Sequence, residues 1–248
     1  MSVKVTVIAI IKFGKDLRFK YIEKIMIRIF IGYDPKEEVA FHVLSASIMR
    51  KTSTPVSITP ISLDTLKSVF KRDRNPLQST EFSFSRFLTP FLSDYQGWSI
   101  FMDCDMLVLD DITNLWNLRD EKYALMCVHH NHTPKEHLKF LNQPQTQYER
   151  KNWSSLMLLN NSKCKSLIPS YVETASGLDL HRFKWIKDDL IGEISPKWNH
   201  LVGYDEFKPV NEISNLHYTS GGPYFEEYRN CPYAEEWQKE YKLTIRPY

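Results

Sequence analysis

The sequence predicts an α/β protein with a mixed sheet flanked by helices, and three features lead there. Ile27 to Ile31 is a short apolar run, Glu37 to Met49 has helical spacing, and Val56 to Ile61 is again strand-like. That strand, helix, strand order opens a parallel sheet covered on both faces. Ser99 to Leu109 is a longer apolar run broken only by Asp103 and Asp105, and Ala124 to His129 and Trp153 to Asn160 add further runs of strand length.

Taken in order, residues 1–25 hold an apolar stretch and then a basic amphipathic stretch ahead of Met26. They admit three readings: an added strand and helix, a docking element, or an upstream start that contributes little. The main domain is expected to occupy residues 26–248. Its first strand is stopped by Gly32-Tyr33-Asp34-Pro35, and in the helix that follows Val39, Phe41, Val43, Leu44 and Ile48 form the apolar face. Ser83 to Phe91 reads as a helix ending near Pro90, and Ser166 to Thr174 as another. Beyond Asp188 the pattern gives way to short elements and loops rich in aromatic residues, until a closing helix, Tyr233 to Tyr241, carries Trp237. There is no internal repeat.

Composition narrows the function classes. A chain of 248 residues with 42% hydrophobic content is long enough for a sizeable core. Its 32 basic and 30 acidic residues leave a net charge of +2, so there is no footprint for nucleic acid, and a phosphate-bearing ligand must be met locally. The four cysteines, Cys104, Cys127, Cys164 and Cys231, form no CxxC pair, which points to reduced thiols in a cytoplasmic setting. Val5 to Ile11 is too short to span a bilayer, so at most a peripheral membrane association is expected.

The chemistry concentrates at Asp103-Cys104-Asp105. Ile100, Phe101 and Met102 precede this tripeptide, and Met106 and Leu107 follow it. Two carboxylates in such surroundings repel each other unless a cation is present. Hard oxygen ligands suit Mn²⁺ or Mg²⁺, and the end of a strand in an open α/β sheet is where ligands bind. The plainer alternative is a solvated acid pair at a strand-to-loop transition. Far along the chain, His217 precedes Gly221-Gly222-Pro223; a neutral imidazole can complete a cation's coordination, and paired glycines can bring backbone N–H groups close to an anion.

Arg86 in Ser79 to Pro90, the Asp103-Cys104-Asp105 strand, and Asp110-Asp111 ahead of Leu115-Trp116 together resemble family 8 glycosyltransferases of the GT-A fold. The likeness is strongest over residues 79–118. The Ile31-Gly32-Tyr33-Asp34 start and Asn152-Trp153-Ser154-Ser155 also resemble a bacterial group of glycosyltransferases. The resemblance implies a hexosyltransferase that uses a nucleotide sugar donor, most often a UDP-sugar, and a glycan or lipid-linked glycan acceptor. It implies metal ligation by Asp103, Asp105 and His217, and donor contacts from Arg86, Asp103 and the Cys104 backbone. Gly32, Tyr33 and Asp34 would meet the base and ribose, and Gly221 and Gly222 the diphosphate. Asp34 capping the next helix and Arg86 pairing with a surface acid are the bland alternatives.

Two departures from the family pattern stand out. The lysine that normally accompanies the late glycine loop is missing. Asp188 stands where the family usually has Gln, beside Asp189, and this acid pair is either catalytic on the acceptor side or a solvated helix start. His129, His130 and His132 match no zinc spacing and read as acceptor-loop residues or loop filler. A sugar nucleotidyltransferase, or a non-catalytic carbohydrate- or nucleotide-binding module, is the alternative function. The first needs a Gly-rich, Arg-containing loop after the first strand, and Gly32 to Glu38 lack one.

Overall fold

In the computed structural model, residues 26–74, 78–130, 138–139, 143–144 and 150–246 are described. The expectations for residues 1–25 and for His132 lie outside them. Strand β1 (Ile27–Gly32) is buried on both faces and pairs in parallel with β2 (Val56–Ile61) on one side and β3 (Trp98–Met102) on the other, with Ile29 opposite both Ile58 and Ile100. A 3-10 turn, Pro35–Glu37, leads from β1 into α1 (Glu38–Lys51). Asp34 caps that turn by accepting the Lys36 N–H at 3.0 Å. Helix α1 buries Val43, Leu44 and Ile48 of the predicted face together with Ala40 and Ser47, whereas Val39 and Phe41 are only half-buried.

Short helix α2 (Leu63–Leu66) follows β2. The helix expected over Ser83 to Phe91 divides into a 3-10 turn, Ser85–Leu88, and α3 (Thr89–Leu92). Pro90 sits in the first turn of α3, where its missing N–H breaks no helical bond. The long apolar run also divides. After β3 the chain turns at Asp103 to Asp105, and β4 (Met106–Val108) joins a different sheet. Helix α4 (Ile112–Trp116) is capped by Asp111, which accepts from the Thr113 N–H at 2.8 Å.

Strand β5 (Leu125–Cys127), the two-stranded antiparallel pair β6 (Leu138–Lys139) and β7 (Gln143–Pro144), and β8 (Leu156–Asn160) come next. Helices α5 (Pro169–Thr174) and α6 (Gly177–His181) then lead to β9 (Ile191–Glu193). The large sheet has the order β2-β1-β3-β8-β5-β9, with β8 antiparallel to both of its neighbours, so it is mixed as expected. A small sheet, ordered β10-β11-β4, is built from β10 (His200–Leu201), β11 (Asn215–His217) and β4. Closing helix α7 (Ala234–Thr244) packs beside α1 over a second core of Val43, Leu107, Leu216, Tyr218 and Trp237. Among the described residues, no helix is long and apolar enough to cross a membrane.

Candidate functional site

The two sheets meet at the Asp103–Asp105 turn. On the large-sheet side the Asp103 N–H donates to the Ser155 carbonyl at 2.9 Å; on the small-sheet side the Asp105 carbonyl accepts the Tyr218 N–H at 2.9 Å. His217 is the last residue of β11, in register with Met106, and therefore arrives beside the acids from the far end of the chain. One ligand atom each from Asp103, Asp105 and His217 lies within 4.8 Å of the other two. His217 Nε2 is 3.4 Å from Asp105 Oδ1, and Arg86 Nη1 is 2.7 Å from Asp103 Oδ1.

Buried negative charge dominates the electrostatics of this cluster. Asp103 Oδ1 and Asp105 Oδ1 are buried and accept no well-aligned hydrogen bond. Arg86 faces Asp103 at ion-pairing distance while its Nη1 donates to the Ser154 carbonyl at 3.0 Å. Burial pushes the Asp103 carboxyl up to about 7; Arg86 opposes that shift, Asp105 adds to it and His217 opposes it. For His217 burial works against protonation, but the neighbouring Asp105 and Asp103 carboxylates outweigh it and hold the imidazole above its ordinary value. Two largely buried carboxylates and an imidazole, converging on one point, make a donor set that fits Mn²⁺ or Mg²⁺.

The imidazole is oriented by a chain of polar side chains. The Ser155 hydroxyl donates to the Asn152 carbonyl at 2.6 Å, so its oxygen is free to accept Asn199 Nδ2 at 2.8 Å. That fixes the Asn199 amide with Oδ1 toward His217 Nδ1, 2.9 Å away. Nδ1 then carries a proton and Nε2 faces the acids, where a cation could take the place of the second proton, the arrangement a metal-binding histidine needs. Arg86 is held as firmly, with its guanidinium carbon 5.2 Å from the ring centres of both Phe82 and Phe101. It serves the acid cluster rather than a surface acid.

Glu37 also belongs here, and the sequence did not mark it. An acid in the first turn of a helix is ordinarily exposed and favoured by the helix dipole, whereas Glu37 is only 2% exposed. Its Oε1 accepts the Tyr224 hydroxyl at 2.7 Å and its Oε2 the Cys104 thiol at 3.8 Å. Burial raises its carboxyl to about 8, with Asp105 adding to the rise and Tyr224 opposing it. The glycine loop is closed by the same contacts. Gly221 has φ of +126°, and a Cβ there would lie 2.5 Å from the Tyr228 ring; at Gly222 a Cβ would lie 2.3 Å from the Tyr224 ring.

Other residues singled out from the sequence lie around or away from this cluster. Gly32 ends β1 against Phe82, and Tyr33 packs edge-on against Phe41 with ring centres 5.5 Å apart. Asp34 is buried, with one oxygen on the Lys36 N–H and the other on the Glu81 N–H at 3.0 Å, so it pins the loop that leads to Arg86. Asp188 and Asp189 are exposed on the 3-10 turn before β9, outside the three-residue cluster, and Asp188 pairs with Arg150 at 2.8 Å. His129 stacks on Trp153 with ring centres 3.9 Å apart, and the His130 carbonyl accepts the Trp153 indole N–H at 3.0 Å.

Comparison with known proteins agrees with this architecture. Solved glycosyltransferases share the fold at low sequence identity. GlyE of Streptococcus pneumoniae TIGR4 superposes with a TM-score of 0.60 at 15% identity over 88% of this chain, which spans only 62% of that structure. The galactosyltransferase LgtC, solved with donor and acceptor sugar analogues, superposes with a TM-score of 0.52 at 12% identity, over 90% of this chain and 98% of its own. The fold is therefore GT-A. No protein-family model matches the chain. In sequence it is 50% identical over 225 residues to Protein CDI of Arabidopsis thaliana, a match covering 88% of this chain and 87% of that protein. With half of the residues shared across nearly the full length of both, the chain belongs to the family of Protein CDI.

Proposed function

We propose that the protein is a metal-dependent glycosyltransferase that moves a hexose from a nucleotide diphosphate sugar, a UDP-sugar in the first instance, to a hydroxyl of a glycan or lipid-linked glycan acceptor. The observation that carries this reading is the convergence of Asp103, Asp105 and His217 at the seam of the two sheets, each offering a ligand atom within 4.8 Å of the others. Mn²⁺ or Mg²⁺ held by these three residues would supply Lewis acidity to stabilise the charge that develops on the departing diphosphate.

The chain's own groups do the rest. Arg86, locked between two phenylalanine rings, holds the Asp103 carboxylate and offers its remaining guanidinium donors to the donor sugar. Asn199 keeps His217 Nε2 turned toward the acids. Gly221 and Gly222 are assigned to the diphosphate side, in a loop that lacks the family's lysine; the Gly221 N–H is taken by the Tyr218 carbonyl at 2.8 Å, so the metal carries more of the diphosphate charge. Tyr33, at the end of β1, is assigned to the base and ribose, with Asp34 beside it shaping the loop through the Lys36 and Glu81 N–H groups. Asp188 and Asp189 are assigned to the acceptor side, with Arg150 keeping Asp188 ionised. The free thiols suit action in the cytoplasm.

The test is a UDP titration with and without Mn²⁺, followed by a panel of nucleotide sugars scored for release of free nucleotide. Wild type should bind UDP only with the metal present, and Asp105→Ala should lose both binding and release. Undiminished Mn²⁺-dependent turnover in Asp105→Ala would sink the assignment. Nucleotide binding that ignores the metal would favour a non-catalytic module.

A further inference from the structure

We infer that Glu37 and Tyr224 form a latch that sets the position of the glycine loop over the Asp103–Asp105 turn, making both positioning residues for the donor's diphosphate. This rests on the glycosyltransferase reading above and adds to it two residues outside the ligand set. One carboxyl joins three segments that are far apart in sequence. Glu37 closes the turn after β1, its Oε2 takes the Cys104 thiol from the centre of the acid turn, and its Oε1 takes the Tyr224 hydroxyl from the loop that follows His217.

The loop's own backbone bonds, from the Gly221 N–H to the Tyr218 carbonyl at 2.8 Å and from the Phe225 N–H to the Gly222 carbonyl at 3.0 Å, shape the loop internally but do not tie it to the acid turn. The Tyr224 ring folds over Gly222, where a Cβ would be 2.3 Å away, and its ring packs on Phe225 and Trp237 with centres 4.7 and 5.5 Å apart. Ring packing fixes how deep the residue sits, but apolar contacts are not directional. The hydroxyl-to-carboxyl bond is directional, and it fixes where along the Asp103–Asp105 turn the Gly221-Gly222 backbone stands. Glycine at both positions lets the backbone follow that bond at little conformational cost. Donor affinity should therefore depend on a hydrogen bond that touches neither donor nor metal.

The experiment measures UDP dissociation constants at saturating Mn²⁺, near neutral pH, for wild type, Glu37→Ala, Glu37→Gln, Tyr224→Phe and the Glu37→Ala/Tyr224→Phe double variant, with thermal midpoints in parallel. Loss of one buried hydrogen bond predicts about ten-fold weaker UDP binding in Glu37→Ala and in Tyr224→Phe, and no further loss in the double variant. Glu37→Gln, whose amide oxygen still accepts the Tyr224 hydroxyl, should stay within about two-fold of wild type. A purely structural role would lower the thermal midpoint and the binding-competent fraction while leaving the dissociation constant of the folded protein unchanged. Additive losses in the double variant, or Tyr224→Phe binding like wild type, would overturn the latch. If wild type itself shows no Mn²⁺-dependent UDP affinity, the glycosyltransferase reading fails on its own. The latch is then judged by hydrogen exchange at the Gly221 and Phe225 amides: faster exchange in Tyr224→Phe and Glu37→Ala but not in Glu37→Gln supports it, and equal rates in all variants refute it.

Discussion

Asp103 and Glu37 keep their protons far above the usual carboxylate range, to about 7 and about 8, because both are buried and both face Asp105. In the unfolded chain each would titrate near about 4. Between those limits the folded protein binds more protons than the unfolded one, and His217, also raised, acts in the same sense. Stability that is full below about pH 4 is therefore lost as pH rises through about 7 and 8. A divalent cation at Asp103, Asp105 and His217 replaces bound protons, so its affinity runs the opposite way. Thermal melts of metal-free protein should show a midpoint that falls from pH 5 to pH 8.5, with the rise produced by Mn²⁺ larger at the alkaline end. A midpoint equally insensitive to pH with and without metal would contradict the coupling. Asp103, Asp105 and His217 were legible as residues because each is chemically odd for its place, acids within an apolar run and a histidine beside paired glycines, whereas Arg86 was singled out only through the family resemblance. Glu37 was not, because an acid at a helix start has an ordinary explanation and only the fold reveals its burial.

Elements position these residues, and the tightest fit lies where β1 ends. A Cβ at Gly32 would lie 2.2 Å from the Phe82 ring, and Phe82, itself buried, touches Phe101 and underlies Arg86. Gly32→Ala should displace Phe82 and cost about 1–3 kcal/mol in urea unfolding, as overpacking of a filled core does; a stability equal to wild type would mean that the ring moves freely. Periodicity found β1 and β8 because each is buried almost throughout, and α1 because one face of it is buried; β2 and α7 were found by apolar residues at strand and helix spacing although most of their residues are half-buried or exposed. It merged β3 with β4 because both are buried throughout, and burial is all that an apolar run reports. The break is imposed by Ser155 and Tyr218, which bond the turn from opposite sides and lie 50 or more residues downstream of it in the sequence. Strands β9, β10 and β11, two or three residues long, are too short to show a period, yet β11 delivers His217.

At the scale of the whole molecule, the small sheet that carries His217 toward the candidate metal site packs under α7. The small sheet carrying His217 is only three strands wide, and one face of it rests on Leu107, Leu216, Tyr218 and Trp237 beneath α7. A sheet this small is not stable alone and needs that cover. Trp237 is the central piece, 2% exposed and stacked on Tyr241 with ring centres 5.3 Å apart. Outside it, Glu240 ties α7 to α1 through Arg50 at 2.5 Å and Lys51 at 3.2 Å. The two attachments should separate experimentally. Trp237→Ala removes the packing under β11 and should cost about 3–5 kcal/mol in urea unfolding. It should also weaken Mn²⁺ binding, measured on the folded protein in a metal titration, because β11 loses the support that sets His217 against Asp105. Glu240→Ala frees two cations that are partly exposed and can rehydrate, so it should cost about 1–2 kcal/mol and leave Mn²⁺ affinity at the wild-type value. If Trp237→Ala lowers stability while Mn²⁺ binds the remaining folded protein as before, the Asp103–Asp105 turn alone holds His217 in place, and α7 supports the fold without supporting the site.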